Sequence, residues 1–232
     1  VVSGRGSQSF SEGVMLHELY HALQDQNFNF TKIEKDLKSP DSIKALKATI
    51  EGEAMLAVSE LMNYDFLSHV NYNHNLTEEQ FQKFFDYGEG MKFIQDIRQS
   101  QGWEGVNNLY KEPPLSTKVI LCSELYLSKQ NQLQYVSDYP RLNKNEKLID
   151  IDIKGAYGWM LFLIQNQIED RDVLIELYKE DQYMTIERDD ATYVLWRVGF
   201  ENKKKANEAF RFLQNRSIQV VQKGRWLEIK IK

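Results

Sequence analysis

The sequence predicts an α+β fold, with a mainly helical N-terminal part, residues 1–147, and an α+β C-terminal part, residues 148–232. Two observations predict this division. Apolar residues recur at helical spacing through two long segments of the first part. The main strand-like runs come after residue 147 and alternate with helical segments, which favours a small antiparallel sheet. Because a chain of 232 residues can bury a sizeable core, we expect the two parts to pack as one compact unit.

Composition excludes several classes of protein. The net charge of −5 offers no basic excess, so nucleic acid is not an expected partner. No apolar run reaches the length of about 18 residues that a transmembrane segment needs. Cys122 is the only cysteine, which excludes an intrachain disulfide and a thiolate zinc finger. The chain begins VVSGRGSQ, so the export signal or lipid anchor of an exported or cell-envelope protein would lie upstream of residue 1. Compartment and oligomeric state stay open.

The first helical segment carries HELYH at residues 17–21, an HExxH motif. Two histidines four residues apart lie about one turn from each other on the same side of a helix, so His17 and His21 can bind one metal ion. Glu18 is rotated by about 100° from His17 and points toward the open coordination position, where it could take a proton from water. The alternative is a pair of ordinary core or surface histidines.

We expect this first helix to run from Ser9 to about Asp25, because Ser9 and Glu12 fit a capping box. One side of the helix is apolar and the opposite side carries the motif, while Leu16 and Leu23 make the flank apolar too. This pattern predicts a helix buried in the protein with its polar side lining a cleft. The apolar side consists of Met15, Leu19 and Ala22.

A second long helix is predicted to begin at Ser39 and Pro40, after a connection over residues 26–39. Serine is a favourable N-cap, and proline fits the first turn. From there the apolar residues keep a period of about 3.6 as far as Leu61. A catalytic zinc site needs three protein ligands, and this helix offers carboxylates as the third. The candidates are Glu51, Glu53 and Glu60.

The position of each carboxylate on this helix favours Glu51. At 100° per residue Glu51 falls inside the apolar stripe, whereas Glu53 and Glu60 fall at its border, where a solvated carboxylate is ordinary. A carboxylate among apolar side chains needs a charged partner or a metal, because burying it alone costs several kcal/mol. Glu51 is therefore the preferred third ligand, and a buried salt bridge is the alternative role.

The rest of the chain is predicted as short helices followed by strands. A third helix starts near Thr77 and is interrupted at Gly88 and Gly90, and His69 and His74 before it are expected to be exposed loop residues. The later elements are helices at 103–110 and 118–121, a strand at 148–153, a helix at 155–168, strands at 183–188 and 192–200 joined by Asp189 and Asp190, a helix at 201–214, and a hairpin of 218–222 and 225–231 that turns at Lys223 and Gly224.

Three segments resemble a group of largely uncharacterised bacterial and archaeal proteins: HELYHALQDQ, EGEA, and PPLSTKVIL ahead of a Tyr-Leu pair. That group carries a HELTHALQDQ-like helix, an EGDA or EGEA helix and a PPxSTEQxLHPEKY-like segment, and is grouped with gluzincin-type zinc metallopeptidases. The likeness spans most of the chain, since GAYGWMLFL and the strands ending in VLWRVGF also resemble the group's C-terminal part. It implies a zincin-like N-terminal part.

The resemblance implies that zinc is held by His17, His21 and Glu51, with Glu18 as general base. A peptide or protein is then the expected substrate. An oxyanion donor is also needed, and the Tyr-x-x-Gly spacing makes Tyr87 a candidate by resemblance. The alternative for Tyr87 is a core aromatic with a satisfied hydroxyl group.

Three further positions bear on the site. Asp25 lies one turn from His21 and either hydrogen-bonds a histidine from outside the ligand set or caps the following connection. Lys118 stands where the group has the Glu of STEQ, and Cys122 stands where it has the His of LHP. The sequence thus predicts a zinc-dependent metallohydrolase of gluzincin-like type. The alternative is a non-catalytic surface or binding protein that keeps zinc in a degenerate peptidase fold.

Overall fold

The computed structural model describes residues 5–69, 75–131, 139–189, 191–214 and 218–231, with side chains from residue 11 onward except that of residue 69. The predicted α+β class is confirmed, because helices form the N-terminal part and an antiparallel sheet lies in the C-terminal part. His74 and the side chain of His69, which were expected to be exposed, lie outside the described parts. Among the described helices, none is long and apolar enough to cross a membrane.

The described elements follow the chain in this order: α1 Arg5–Asn27, α2 Phe30–Asp36, α3 Pro40–Leu61, a 3₁₀ turn Leu67–His69, α4 Glu78–Lys83, a π-helical turn Phe84–Glu89, α5 Gly90–Asn108, α6 Thr117–Leu121, α7 Glu124–Leu127, β1 Glu146–Asp152, α8 Gly155–Gln165, α9 Arg171–Leu177, β2 Tyr178–Arg188, β3 Ala191–Phe200, α10 Lys203–Leu213, β4 Val220–Lys223 and β5 Trp226–Ile231.

The five strands form one antiparallel sheet in the order β1-β2-β3-β5-β4. Strand β3 is the central strand, and its Val198 pairs with Asp181 on β2 and with Leu227 on β5. Helices α8 and α10 contact this sheet. The buried core side chains form one cluster that contains Ala45 of α3 as well as Ile229 of β5, so the helical part and the sheet share a core.

A buried carboxylate fastens the start of α3 to the C-terminal part. Asp41, in the first turn of α3, accepts hydrogen bonds from the hydroxyl and the backbone N–H of Thr117 on α6. The Thr117 hydroxyl oxygen in turn accepts from the backbone N–H of Tyr157 on α8, 2.9 Å away. Burial raises the pKa of Asp41 to about 7. The helix that carries Glu51 is thereby anchored at its N-terminus.

Several predicted boundaries were wrong. Helix α1 begins at Arg5, so Ser9 lies inside the helix and cannot be the cap of a capping box. The predicted connection over 26–39 contains α2, whose N-cap Asn29 accepts from the backbone N–H of Lys32. The prediction also missed α9. The predicted interruption of the third helix at Gly88 and Gly90 was wrong as well. The helix continues through both glycines, first as the π-helical turn and then as α5.

The prediction that α1 is a buried helix was also wrong. Helix α1 contacts α3 with the side that bears His17 and His21. Its predicted apolar side faces outward, since Met15 is 57% and Leu19 55% exposed, and Leu23 on the flank is also 55% exposed. The sequence pattern was correct about which residues share a side, but it carries no information about whether another element covers that side.

Candidate metal centre

Three side chains meet between α1 and α3 with one ligand atom each. Nε2 of His17 and Nε2 of His21 are 2.9 Å apart. Oε2 of Glu51 lies 3.1 Å from each of these nitrogens. Among the described residues this is the one group of three His, Cys, Asp or Glu side chains whose ligand atoms lie close enough together to hold a metal ion. All three residues are half-buried, so the group is partly accessible to solvent.

The donor set and its spacing fit zinc. Two imidazole nitrogens and one carboxylate oxygen are a known ligand set of catalytic zinc sites. Ligand atoms about 2.0–2.1 Å from a tetrahedral zinc ion lie roughly 3.2–3.5 Å from one another. The observed separations of 2.9 and 3.1 Å therefore need to widen by only a few tenths of an ångström. Side-chain rotations of that size cost little, so the residues present fit the ion.

Charge is concentrated where these side chains converge. Burial alone would raise the pKa of Glu51, but hydrogen bonding to His17 and His21 outweighs it and holds the pKa at about 2. The hydrogen bond to Glu51 is the main cause that raises the pKa of His21 above its ordinary value. The cluster therefore favours a positive charge, which a proton on His21 or a metal ion can supply.

Glu18 and Tyr87 both lie near the two histidines. The ring of Tyr87 stands edge-on to the ring of His17, with centroids 5.7 Å apart. Burial is the main cause that raises the pKa of Tyr87, and the charges of Glu51, Asp86 and Glu18 raise it further. The charge of Glu18 also adds to the raised pKa of His21, after the hydrogen bond to Glu51. Glu18 itself is exposed, as a group that exchanges protons with water should be.

The π-helical turn explains how Tyr87 reaches this position. Thr77 caps α4 with a reciprocal capping box to Gln80, and the helix then widens over Phe84–Glu89 before α5 begins. A π-turn inserts one extra residue into a helix and so rotates the side chains that follow it, which is why such turns are common at functional sites. Here the turn lies against α3, and Asp86 in it forms an ion pair with Lys47 of α3 at 3.2 Å.

Asp25, Lys118 and Cys122 do not contribute ligand atoms to this group. Asp25 is exposed, and the side chain that hydrogen-bonds Nδ1 of His21 is Gln24, at 2.8 Å. Lys118 donates to the backbone carbonyls of Glu176 and Tyr178, so it fastens α6 to the start of β2. Burial raises the pKa of Cys122 to about 11, which keeps its thiol neutral and a poor metal ligand.

The contact of Gln24 with His21 was not predicted from the sequence, and the prediction for Glu53 was wrong. Glu53 was expected to be a solvated carboxylate, yet it is only 3% exposed and accepts hydrogen bonds from Tyr20, Gln24 and Tyr110. The spacing of Gln24 three residues after His21 places both on one side of α1, and this signal could have identified Gln24. Glu60 does lie exposed, in an ion pair with Arg98.

Comparison with models of known protein families, with curated proteins and with solved structures finds no match to this chain.

Proposed function

We propose that this chain is a zinc-dependent hydrolase, a gluzincin-like peptidase of the HALQDQ and EGEA type, which cleaves a peptide or protein substrate. The observation that carries the proposal is the convergence of Nε2 of His17, Nε2 of His21 and Oε2 of Glu51 within 3.1 Å, with the exposed Glu18 near enough for its charge to act on His21. The HExxH motif and its resemblance to gluzincin-type sequences support the same reading.

Zinc, when bound, would supply a Lewis acid for the substrate carbonyl and lower the pKa of water toward about 7. His17, His21 and Glu51 would hold it. These three residues are half-buried, and Glu18, the residue after His17 on α1, is exposed. The Glu18 carboxylate is the group of this chain that would accept a proton from the attacking water and then donate it to the leaving amine.

Tyr87 would serve as a hydrogen-bond donor to the oxygen on which negative charge develops. Its raised pKa keeps the phenol protonated at neutral pH, as a donor requires. The edge-on contact with His17 orients its ring beside the metal ligands.

The test is hydrolysis by the zinc-loaded protein, with fluorescein-labelled casein and a mixture of quenched fluorescent peptides as substrates. Glu18→Gln removes the proton acceptor while keeping its shape, so turnover should fall by about 10²–10⁴-fold with zinc content unchanged. Glu12→Gln, an exposed glutamate on the same helix, is the matched control and should retain full activity. Turnover that survives Glu18→Gln contradicts the proposal, as does zinc-loaded wild-type protein that cleaves none of these substrates. The latter result would support the non-catalytic zinc protein instead.

A further inference from the structure

The amide of Gln24 has only one orientation that satisfies its neighbours. Its Nε2 lies 2.7 Å from Oε2 of Glu53 and 3.1 Å from the backbone carbonyl oxygen of Ile50. A carboxylate and a carbonyl can only accept hydrogen bonds, so the NH₂ end of the amide must face them. A flipped amide would put its oxygen against two acceptors. Oε1 of Gln24 is therefore turned toward His21 and lies 2.8 Å from its Nδ1.

Glu53 is itself held by donors, which makes it a firm anchor for Gln24. The hydroxyl of Tyr20 donates to Oε1 of Glu53 at 2.9 Å, and the hydroxyl of Tyr110 donates to Oε2. Burial, followed by the charge of Glu53, raises the pKa of both tyrosines, so both keep their protons. Together with Gln24 they give the buried carboxylate three donors, which compensates for its removal from water.

The consequence for His21 concerns its tautomer. Because Oε1 of Gln24 is an acceptor, Nδ1 of His21 must carry the hydrogen. A neutral imidazole with its hydrogen on Nδ1 has a lone pair on Nε2, and this is the atom that faces His17 and Glu51. His17 differs, since its buried Nδ1 has no hydrogen-bond partner within the described part of the chain. A hydrogen bond to Nδ1 therefore controls the tautomer of His21 and not that of His17.

We propose that Gln24, oriented by Glu53, is the positioning residue that fixes His21 in the Nδ1–H tautomer and so presents its Nε2 lone pair to the metal. This inference rests on the metal site of the proposed function but not on peptide hydrolysis. A partner that hydrogen-bonds the second nitrogen of a metal-binding histidine typically strengthens metal affinity by about 10–100-fold. Gln24 occupies that position, and Glu53, two residues after Glu51, connects it to the same helix as the third ligand.

Gln24→Met tests the role, because methionine keeps the length and buried volume of the side chain but has no amide. Zinc affinity, measured by competition with a chromophoric chelator, should fall by about 10–100-fold. Gln26→Met makes the same change at an exposed position of α1 and should bind zinc as the wild type does. Equal affinities for the two variants would overturn the proposal.

A second readout does not depend on zinc or on activity. Long-range ¹H–¹⁵N NMR of the histidine rings in the zinc-free protein at pH 9 should show a larger share of the Nδ1–H tautomer of His21 in the wild type and in Gln26→Met than in Gln24→Met, because Gln24 opposes the pull of Glu51 on Nε2. Gln24→Met should shift His21 toward the Nε2–H form. Equal tautomer populations of His21 in the wild type and in Gln24→Met overturn the proposal. An Nδ1–H tautomer with normal zinc binding but no hydrolysis would support it while refuting the proposed peptidase activity.

If Gln24→Met does not fold, the proposal can be tested by exchanging the glutamine at position 24 and the glutamate at position 53. In Gln24→Glu the new carboxylate faces that of Glu53, so zinc affinity should fall through repulsion and misplacement. Adding Glu53→Gln restores a donor and acceptor at this contact and leaves a carboxylate facing Nδ1 of His21. The double variant should recover most of the affinity and the Nδ1–H tautomer. No recovery would overturn the proposal.

Discussion

Gly52 of α3 and Gly90 of α5 pack backbone against backbone. A Cβ built on Gly52 would lie 2.1 Å from the carbonyl carbon of Gly90, and a Cβ on Gly90 would lie 2.0 Å from the carbonyl oxygen of Ala48. Neither contact leaves room for a methyl group, so both glycines are needed for this close approach. Gly52 follows Glu51 directly in the chain. The close approach of α5 to α3 therefore also fixes the position of Glu51 along α3.

Gly52→Ala should therefore weaken both the fold and the metal site. The inserted methyl meets backbone atoms, which cannot rotate away, so we expect α3 and α5 to separate at a cost of about 1–3 kcal/mol or more in the free energy of unfolding. Displacement of Glu51 should lower zinc affinity at the same time. Urea denaturation and chelator competition measure the two effects.

Gly13→Ala is the matched control for this change. Its Cβ would meet Sδ of Met62 at 3.1 Å, and a methionine side chain can move by the few tenths of an ångström required. Alanine is also the better helix former, so stability should stay equal or rise by up to about 1 kcal/mol. Equal losses in Gly13→Ala and Gly52→Ala would contradict the role assigned to the contact between Gly52 and Gly90.

Zinc stabilisation should increase with pH across neutrality. The hydrogen bond to Glu51 raises the pKa of His21 above its ordinary 6.5, so in the zinc-free protein the proton on His21 stabilises the fold below pH 6.5. That contribution is lost as pH rises through the raised pKa, and zinc can bind only when the proton has left. Thermal unfolding with and without excess zinc should show a larger gain in Tm at pH 8 than at pH 6. An equal or larger zinc-induced gain in Tm at pH 6 would contradict this account.

Tyr87→Phe should reduce catalysis and leave the metal in place. Loss of one hydrogen-bond donor to a developing oxyanion typically lowers kcat by about 10²–10³-fold. The ring remains beside His17, so zinc affinity should stay at the wild-type value. Steady-state kinetics on a cleaved peptide gives kcat and KM separately, and Tyr139→Phe, at a residue that is 56% exposed, serves as control. Unchanged kcat in Tyr87→Phe would assign Tyr87 to packing alone.

Local periodicity was sufficient to predict α1 and α3, the two helices that carry the candidate ligands. The HExxH spacing and the angular position of Glu51 on α3 use only the geometry of a helix, and the structure brings these three side chains together. The same geometry failed for Glu53. Glu53 is buried against Tyr110, which lies 57 residues away along the chain. A helical projection uses only residues of the same helix, so it cannot predict such a contact.

The exposure of α1 has a similar cause. Met15 and Leu19 were predicted to share the apolar side of the helix and Leu23 to lie on its flank, but burial depends on which elements lie opposite, and this is decided by tertiary packing. Tyr87 illustrates a third limit. Its position beside His17 depends on a π-helical turn, and the glycines at 88 and 90 were interpreted as an interruption of the helix rather than as a wider turn within it.

The most direct test of the metal site is the zinc content and zinc affinity of Glu51→Ala beside those of the wild type and of Glu60→Ala. Glu60 lies on the same helix, is exposed and pairs with Arg98, so its loss should not affect the metal. We predict one zinc ion per chain in the wild type and in Glu60→Ala, and a loss of affinity large enough to empty the site in Glu51→Ala on dialysis. Full zinc occupancy with unchanged affinity in Glu51→Ala would contradict the assignment of His17, His21 and Glu51 as the ligands.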